Sequence, residues 1–255
     1  MNDTGMRPRR SAFGRLLLNE ARLAWRVPFG LSMGLGLPIL LLIIFGSIPV
    51  LRQASSDLGG SSYFILSFPV LIGMTVLSLC TIVLPRGLVG YRETGILRRI
   101  SVTPVPPSWL LAAQIAVNLV MAVAGLAILT VVGVAAFSLQ PPGSIPGFLL
   151  ANLLTVSSLF AVGLCIAGLA KNSGVAAAVG GLLFYALLFF GGLWVPRPLM
   201  PAVLLSISNG TPLGASVDAI QRAMQGAFPS FQSILVLSAY TLVFGYLAVR
   251  FFKWE

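Results

Sequence analysis

Gly90-Tyr91-Arg92-Glu93-Thr94-Gly95-Ile96-Leu97-Arg98-Arg99-Ile100-Ser101-Val102-Thr103-Pro104 is the longest polar interruption in the middle of a chain that is otherwise nearly all apolar. Four of these residues, Arg92, Glu93, Arg98 and Arg99, are charged, in a protein with only 9% charged residues. An apolar run long enough to cross a bilayer flanks the stretch on each side. A turn between two spans needs only a few residues, so a segment of this length has room to fold and to contact something.

Outward from this stretch, the chain of 255 residues is 57% hydrophobic, with a mean hydropathy of +0.98. Its repeated apolar runs of about twenty residues exceed what a core helix of a soluble domain needs. The sequence is that of an all-α polytopic membrane protein. A net charge of +10 would suggest nucleic acid for a soluble protein. Here the basic residues gather at the ends of apolar runs, where anionic lipid and the positive-inside bias account for them, and no nucleic-acid partner is expected. There is no histidine, and Cys80 and Cys165 lie singly inside apolar runs. Neither a disulfide framework nor a metal site is expected. The first apolar run begins only near Phe29 without a small-residue cleavage site close behind it, which speaks against a cleaved signal peptide.

Ahead of the first span, Ser11, Arg15, Asn19, Arg22 and Arg26 recur at spacings of four and three. They form one polar stripe, with Phe13, Leu16, Leu17 and Leu23 largely elsewhere on the wheel, and predict an amphipathic helix over 11–27 lying on the membrane. Six spans follow at 29–51, 63–84, 107–137, 147–170, 175–195 and 231–252, with Pro38 bending the first. The hinge Lys171-Asn172-Ser173-Gly174 can join only antiparallel neighbours. In 196–229, proline and glycine interrupt an apolar stretch too short to span, which predicts an outer re-entrant region. Of the 16 basic residues, six arginines precede the first span, and Arg86, Arg92, Arg98, Arg99, Lys171, Arg250 and Lys253 fall on the same side. Arg52, Arg197 and Arg222 are left on the other. This asymmetry puts both termini and the opening stretch in the cytoplasm of an inner-membrane protein, and an odd number of spans would spoil it.

The spans carry almost no ionisable residue. Ion-coupled secondary transporters keep a carboxylate, histidine or lysine near the midplane to bind the driving ion, so that class is disfavoured. An intramembrane hydrolase, which needs paired carboxylates, an activated serine or a metal, is disfavoured on the same ground. A phosphate-binding loop is missing too: Gly168-Leu169-Ala170-Lys171-Asn172-Ser173 lacks the second glycine before the lysine. If ATP drives this protein, another chain binds it, and no cofactor is expected here. A membrane scaffold and a secondary transporter stand as the rival readings.

Arg92-Glu93-Thr94-Gly95-Ile96-Leu97-Arg98-Arg99, followed by Thr103-Pro104-Val105, resembles the cytoplasmic signature of the ABC-2 type exporter permeases, a Glu-x-Gly-Thr-Leu core ahead of a Thr-Pro. Ile96 stands where that family usually has threonine or serine. The likeness extends to the amphipathic N-terminal helix, the six spans and the Gly191-Gly192-Leu193-Trp194-Val195-Pro196 entry into the outer region, and is closest to the daunorubicin-resistance branch. It implies a half-transporter that pairs with a second copy or a related permease, couples to two separate ATPase subunits that carry ATP and Mg, and moves a hydrophobic or amphipathic small molecule, a drug or lipid, outward. It implies that 85–106 forms a coupling helix seated in the ATPase, with 11–27 as a connecting helix beside it. The coupling residues are then Tyr91, Arg92, Glu93, Gly95, Leu97, Arg98, Arg99, Thr103 and Pro104. The same resemblance runs the substrate between protomers along spans two and five, past Phe64, Phe68, Met74, Phe184, Tyr185, Phe189 and Phe190.

Overall fold

The computed structural model describes residues 9–26, 32–96 and 106–251. Among these residues the secondary structure is helical, apart from one bridge between Ala54 and Ser62. Helix α1 is Arg9–Arg26. A π turn at Ser32–Gly36 leads into α2, Leu37–Ser47. Helix α3 runs unbroken over Tyr63–Glu93 with a second π turn at Leu79–Val83. Then come α4 (Pro107–Phe137), α5 (Ile145–Leu169) and α6 (Ser173–Gly191). Two shorter helices, α7 (Ala202–Gly210) and α8 (Pro212–Met224), precede α9, Phe231–Phe251. Helices α3, α4, α5, α6 and α9 are long and apolar enough to cross a membrane, and Gly34–Ser47 is a shorter apolar helix. The chain is a multi-pass helical membrane protein.

Prolines explain where the helices depart from the sequence expectation. The second span was expected to end at Leu84, yet α3 continues through Pro85 to Glu93. Pro85 has no N–H to offer the turn before it, and that turn is widened to a π turn ending two residues earlier, at Val83. The turn before Pro38 is widened in the same way, ending at Gly36. The first apolar run was expected to stay helical to Leu51, but Ile48 is extended at φ −90° and ψ 111°, as a residue before a proline prefers, and the chain resumes with the short turn Pro49–Arg52. Helix α6 stops at Gly191 rather than reaching Val195, because Gly192 takes the left-handed conformation at φ 96°.

Helix α3 is the central column. Its most apolar window is 89% buried, against 28% for α4 and 11% for α9. Helices α2, α4, α5, α6 and α8 all pack on it, and α9 lies outside along α5. At the widened turn α5 and α6 both pack against α3. A Cβ at Gly163 of α5 would lie 2.0 Å from the Cys80 carbonyl oxygen, and one at Gly180 of α6 would lie 1.8 Å from that of Thr81. Backbones can approach this closely because the residue facing each carbonyl is a glycine.

The region 196–229, expected from the sequence to be an outer re-entrant region, packs into the bundle through α8. Leu213, Val217 and Ile220 of α8 are fully buried, and Gly73 of α3 and Gly191 of α6 make room for Leu213. Arg197 ties this end together. Its guanidinium donates to Ser208 Oγ at 2.8 Å, to the Gly214 carbonyl at 3.1 Å and to Asn209 Oδ1 at 2.6 Å. Burial pulls Arg197 below the ordinary arginine value, and the Asp218 carboxylate opposes that shift.

Candidate functional site

The end of α3 is built from three successive residues that each reach a different helix. Residues on a helix are separated by about 100°, so neighbours in sequence point to different sides. The Tyr91 hydroxyl donates to the Glu20 carboxylate of α1, with oxygens at 2.7 and 2.9 Å. The Arg92 guanidinium donates to the Ala170 carbonyl, the residue that closes α5. The Glu93 carboxylate lies beside the hydroxyl and N–H of Ser173, the first residue of α6, which pull it below the ordinary glutamate value.

These partners suit the helix ends they meet. A helix C-terminus presents unpaired carbonyls and favours a cation, and an N-terminus presents unpaired N–H groups and favours an anion. Arg92 faces the first and Glu93 the second, so the two sides of the hinge 170–173 are held by adjacent residues of α3. Asn172 completes the hinge by capping α6, its Oδ1 accepting from the Val175 N–H at 2.7 Å. Beyond Glu93 the Thr94 hydroxyl bonds back to the Gly90 carbonyl at 2.8 Å, and Gly95, at φ +68°, turns the chain out of α3.

Helix α1 is held by more than Tyr91. Phe13 packs edge-on against Trp109 at the start of α4, with ring centroids 5.8 Å apart. Glu20 is a charged residue on the buried side of this helix, 7% exposed. Burial raises its carboxyl above the ordinary glutamate value, and the hydrogen bond from Tyr91 opposes the shift.

The family model for the ABC-2 type transporter matches residues 11–224. The chain belongs to this family. A Bacillus subtilis (strain 168) protein, YvfS, whose name provisionally describes it as a transport permease, is 30% identical over 77 residues. That match covers 30% of this chain and 31% of the relative, so the likeness spans about a third of each.

In this ABC-2 type transporter chain, Tyr91, Arg92, Glu93 and Gly95 of the expected coupling set come together at the end of α3. Leu97, Arg98, Arg99, Thr103 and Pro104 lie outside the described residues. Arg92, expected in the coupling set, donates to the Ala170 carbonyl of its own chain. The aromatic residues expected along a substrate route divide by burial. Phe64, Phe68, Met74 and Phe184 are in the protein's own interior, while Tyr185 is 63% and Phe189 39% exposed. Phe190 is half-buried and meets Phe189 edge-on.

Sequence reasoning missed Glu20, Gln114 and Asn118 as members of this region. They fall on helices that read as amphipathic or apolar, and only the packing of α1 and α4 against α3 gathers them. A polar residue on the apolar side of a helix wheel was the available signal for Glu20.

Proposed function

We propose that the chain is the permease subunit of an ATP-driven exporter, moving a hydrophobic or amphipathic small molecule, a drug or lipid, outward across the inner membrane. It carries out no bond chemistry itself. ATP and Mg bind to two separate ATPase subunits, and the permease pairs with a second copy or a related permease. Helix α2 and the residues before it form the first of six spans. Both termini and the Tyr91 end of the bundle face the cytoplasm, the side that collects most of the chain's basic residues. The region 196–229, inserted by α8, is on the outside.

The observation that carries this reading is the attachment of Tyr91, Arg92 and Glu93 to α1, α5 and α6. Residues beyond Glu93 take the push of the ATPase as it closes on nucleotide. Because α3 is clasped to the ends of both α5 and α6, that push tilts several spans as one body and opens the seam between protomers. Tyr185 and Phe189, exposed on α6, line the route at that seam.

The test is purification and transport. An ATPase should copurify with the chain in stoichiometric amount, and inverted vesicles should accumulate substrate only with ATP. Charge reversal at Glu93 or Arg98 should leave the protein inserted and hydrolysis running while transport is lost. Unaltered transport in both variants would sink the coupling role. Transport that survives ATP depletion and collapses with an uncoupler would favour a secondary transporter instead.

A further inference from the structure

A cavity of about 460 Å3 lies between α1, the last turns of α3 and the first turns of α4. Most of its wall is aliphatic, with Leu23, Val117 and Met121 among the contributors. Glu20, Arg86, Gln114 and Asn118 interrupt that wall. Gln114 and Asn118 stand one turn apart on the same face of α4, only 8% and 4% exposed. Their carbonyl oxygens, Gln114 Oε1 and Asn118 Oδ1, have no hydrogen-bond partner. The Asn118 amide nitrogen is already used, donating to the Gln114 backbone carbonyl at 2.9 Å.

A buried polar atom without a partner has lost its water and gained nothing in return, and native structures carry few of them. Two on adjacent turns beside one cavity are what a bound hydrogen-bond donor would satisfy. The helix opposite leaves space for it. Gly90 of α3 lines the cavity, and a Cβ built there meets nothing within 4 Å. Gly87, one turn earlier, is instead filled by Gln114, whose Nε2 would lie 1.9 Å from an added Cβ.

We propose that this cavity binds a membrane lipid with a hydrogen-bond-donating, zwitterionic head group, of which phosphatidylethanolamine is the simplest case. Its ammonium donates to Gln114 Oε1 and Asn118 Oδ1, and its acyl chain follows the aliphatic wall. Both unpartnered atoms are acceptors, so the ligand must bring N–H or O–H groups. Glu20 and Arg86 contribute opposite charges to the same wall, which suits a head with both signs better than one with a net charge. The amphipathic helix α1 forms one side, and such helices lie at head-group depth, where a lipid can enter sideways. The inference concerns binding alone and is independent of what the transporter carries.

The test uses the full chain in a neutral detergent, offered equal amounts of dioleoyl phosphatidylethanolamine, phosphatidylcholine and phosphatidylglycerol, with retained lipid read by native mass spectrometry. Phosphatidylcholine has the same phosphate and tails but no N–H. Retention of phosphatidylethanolamine about tenfold above phosphatidylcholine is expected, the ratio that about 1.4 kcal/mol produces. Gly90→Leu, which extends into open space, should lose the bound lipid at an unchanged thermal midpoint. Gln114→Leu removes an unpartnered acceptor, so it should keep the midpoint while losing the preference for phosphatidylethanolamine. Equal retention of the first two lipids by the wild-type chain would overturn the proposal, with no variant needed. So would preferential retention of phosphatidylglycerol, or a Gly90→Leu protein that still selects phosphatidylethanolamine.

Discussion

Gly163 and Gly180 stand where a side chain would meet a backbone carbonyl, at 2.0 Å from Cys80 and 1.8 Å from Thr81. Backbone cannot swing aside as a side chain can, so Gly163→Ala or Gly180→Ala should each destabilise the protein by about 1–3 kcal/mol in thermal unfolding. Gly181, with nothing within 4 Å of its added Cβ, is the internal comparison. Gly181→Ala should be neutral or stabilising by up to about 1 kcal/mol through helix propensity. Glu20 makes a second case at this scale, because burial raises its carboxyl above the ordinary value. The native state then keeps a proton that the unfolded chain has already released. Stability is therefore greatest below the ordinary glutamate value and falls as pH rises from there to the folded value. Protection of the α1 amides from hydrogen exchange, taken relative to the intrinsic exchange rate at each pH, should fall across that window, and Glu20→Gln should abolish the fall. The sequence displayed Glu20 as one acidic residue on a basic helix. That it is buried against Tyr91 follows from the way α1 crosses the bundle, which no local pattern encodes.

At the level of elements, the end of the bundle formed by α7 and α8 is tied together by Arg197. Arg197 joins the loop after α6 to Ser208 and Asn209 of α7 and Gly214 of α8, and its side chain is only 11% exposed. Arg197→Ala leaves these acceptors unmatched and should cost about 3 kcal/mol. Arg197→Lys should recover less than half of that, since an ammonium lacks the planar fork that reaches several acceptors at once. Denaturation of the detergent-solubilised chain measures both. The prolines taught a related lesson. The second span was expected to end at Leu84, immediately before Pro85. Helix α3 instead absorbs the proline with a widened turn, because α5 and α6 pack glycines against the carbonyls there. Local chemistry identified the defect, and neighbouring helices determined that it would be a joint rather than an end.

Across the whole molecule, burial is graded from α3 outward to α9. Leu237 of α9 is fully buried against the bundle, while Leu242 is 73% exposed. Leu237→Ala should destabilise by about 2–5 kcal/mol. Leu242→Ala should stay within about 0.5 kcal/mol, because a lipid-facing leucine exchanges one apolar surrounding for another. Leu242→Arg should fail differently, by impairing insertion at a cost of about 2.5–3.5 kcal/mol on the insertion scale. Quantifying membrane-inserted protein separates the two outcomes.

The sequence by itself determined that the chain is a bundle of membrane helices, because apolar length and the requirement to satisfy backbone hydrogen bonds in lipid leave few alternatives. Its charge made the stretch 90–104 conspicuous in a chain with so little of it, and the resemblance to the ABC-2 permeases singled out Tyr91, Arg92, Glu93 and Gly95 within that stretch. Only the tertiary structure decided what those residues hold. Arg92 and Glu93 find the two helix ends of a hinge some eighty residues further along the chain. Contacts between helices distant in sequence depend on crossing geometry, and hydropathy, being a sum over neighbours, carries no information about it. For the same reason the opening polar stretch could be seen to meet something, while the three-way clasp at its start appears only once α1, α5 and α6 are packed around α3.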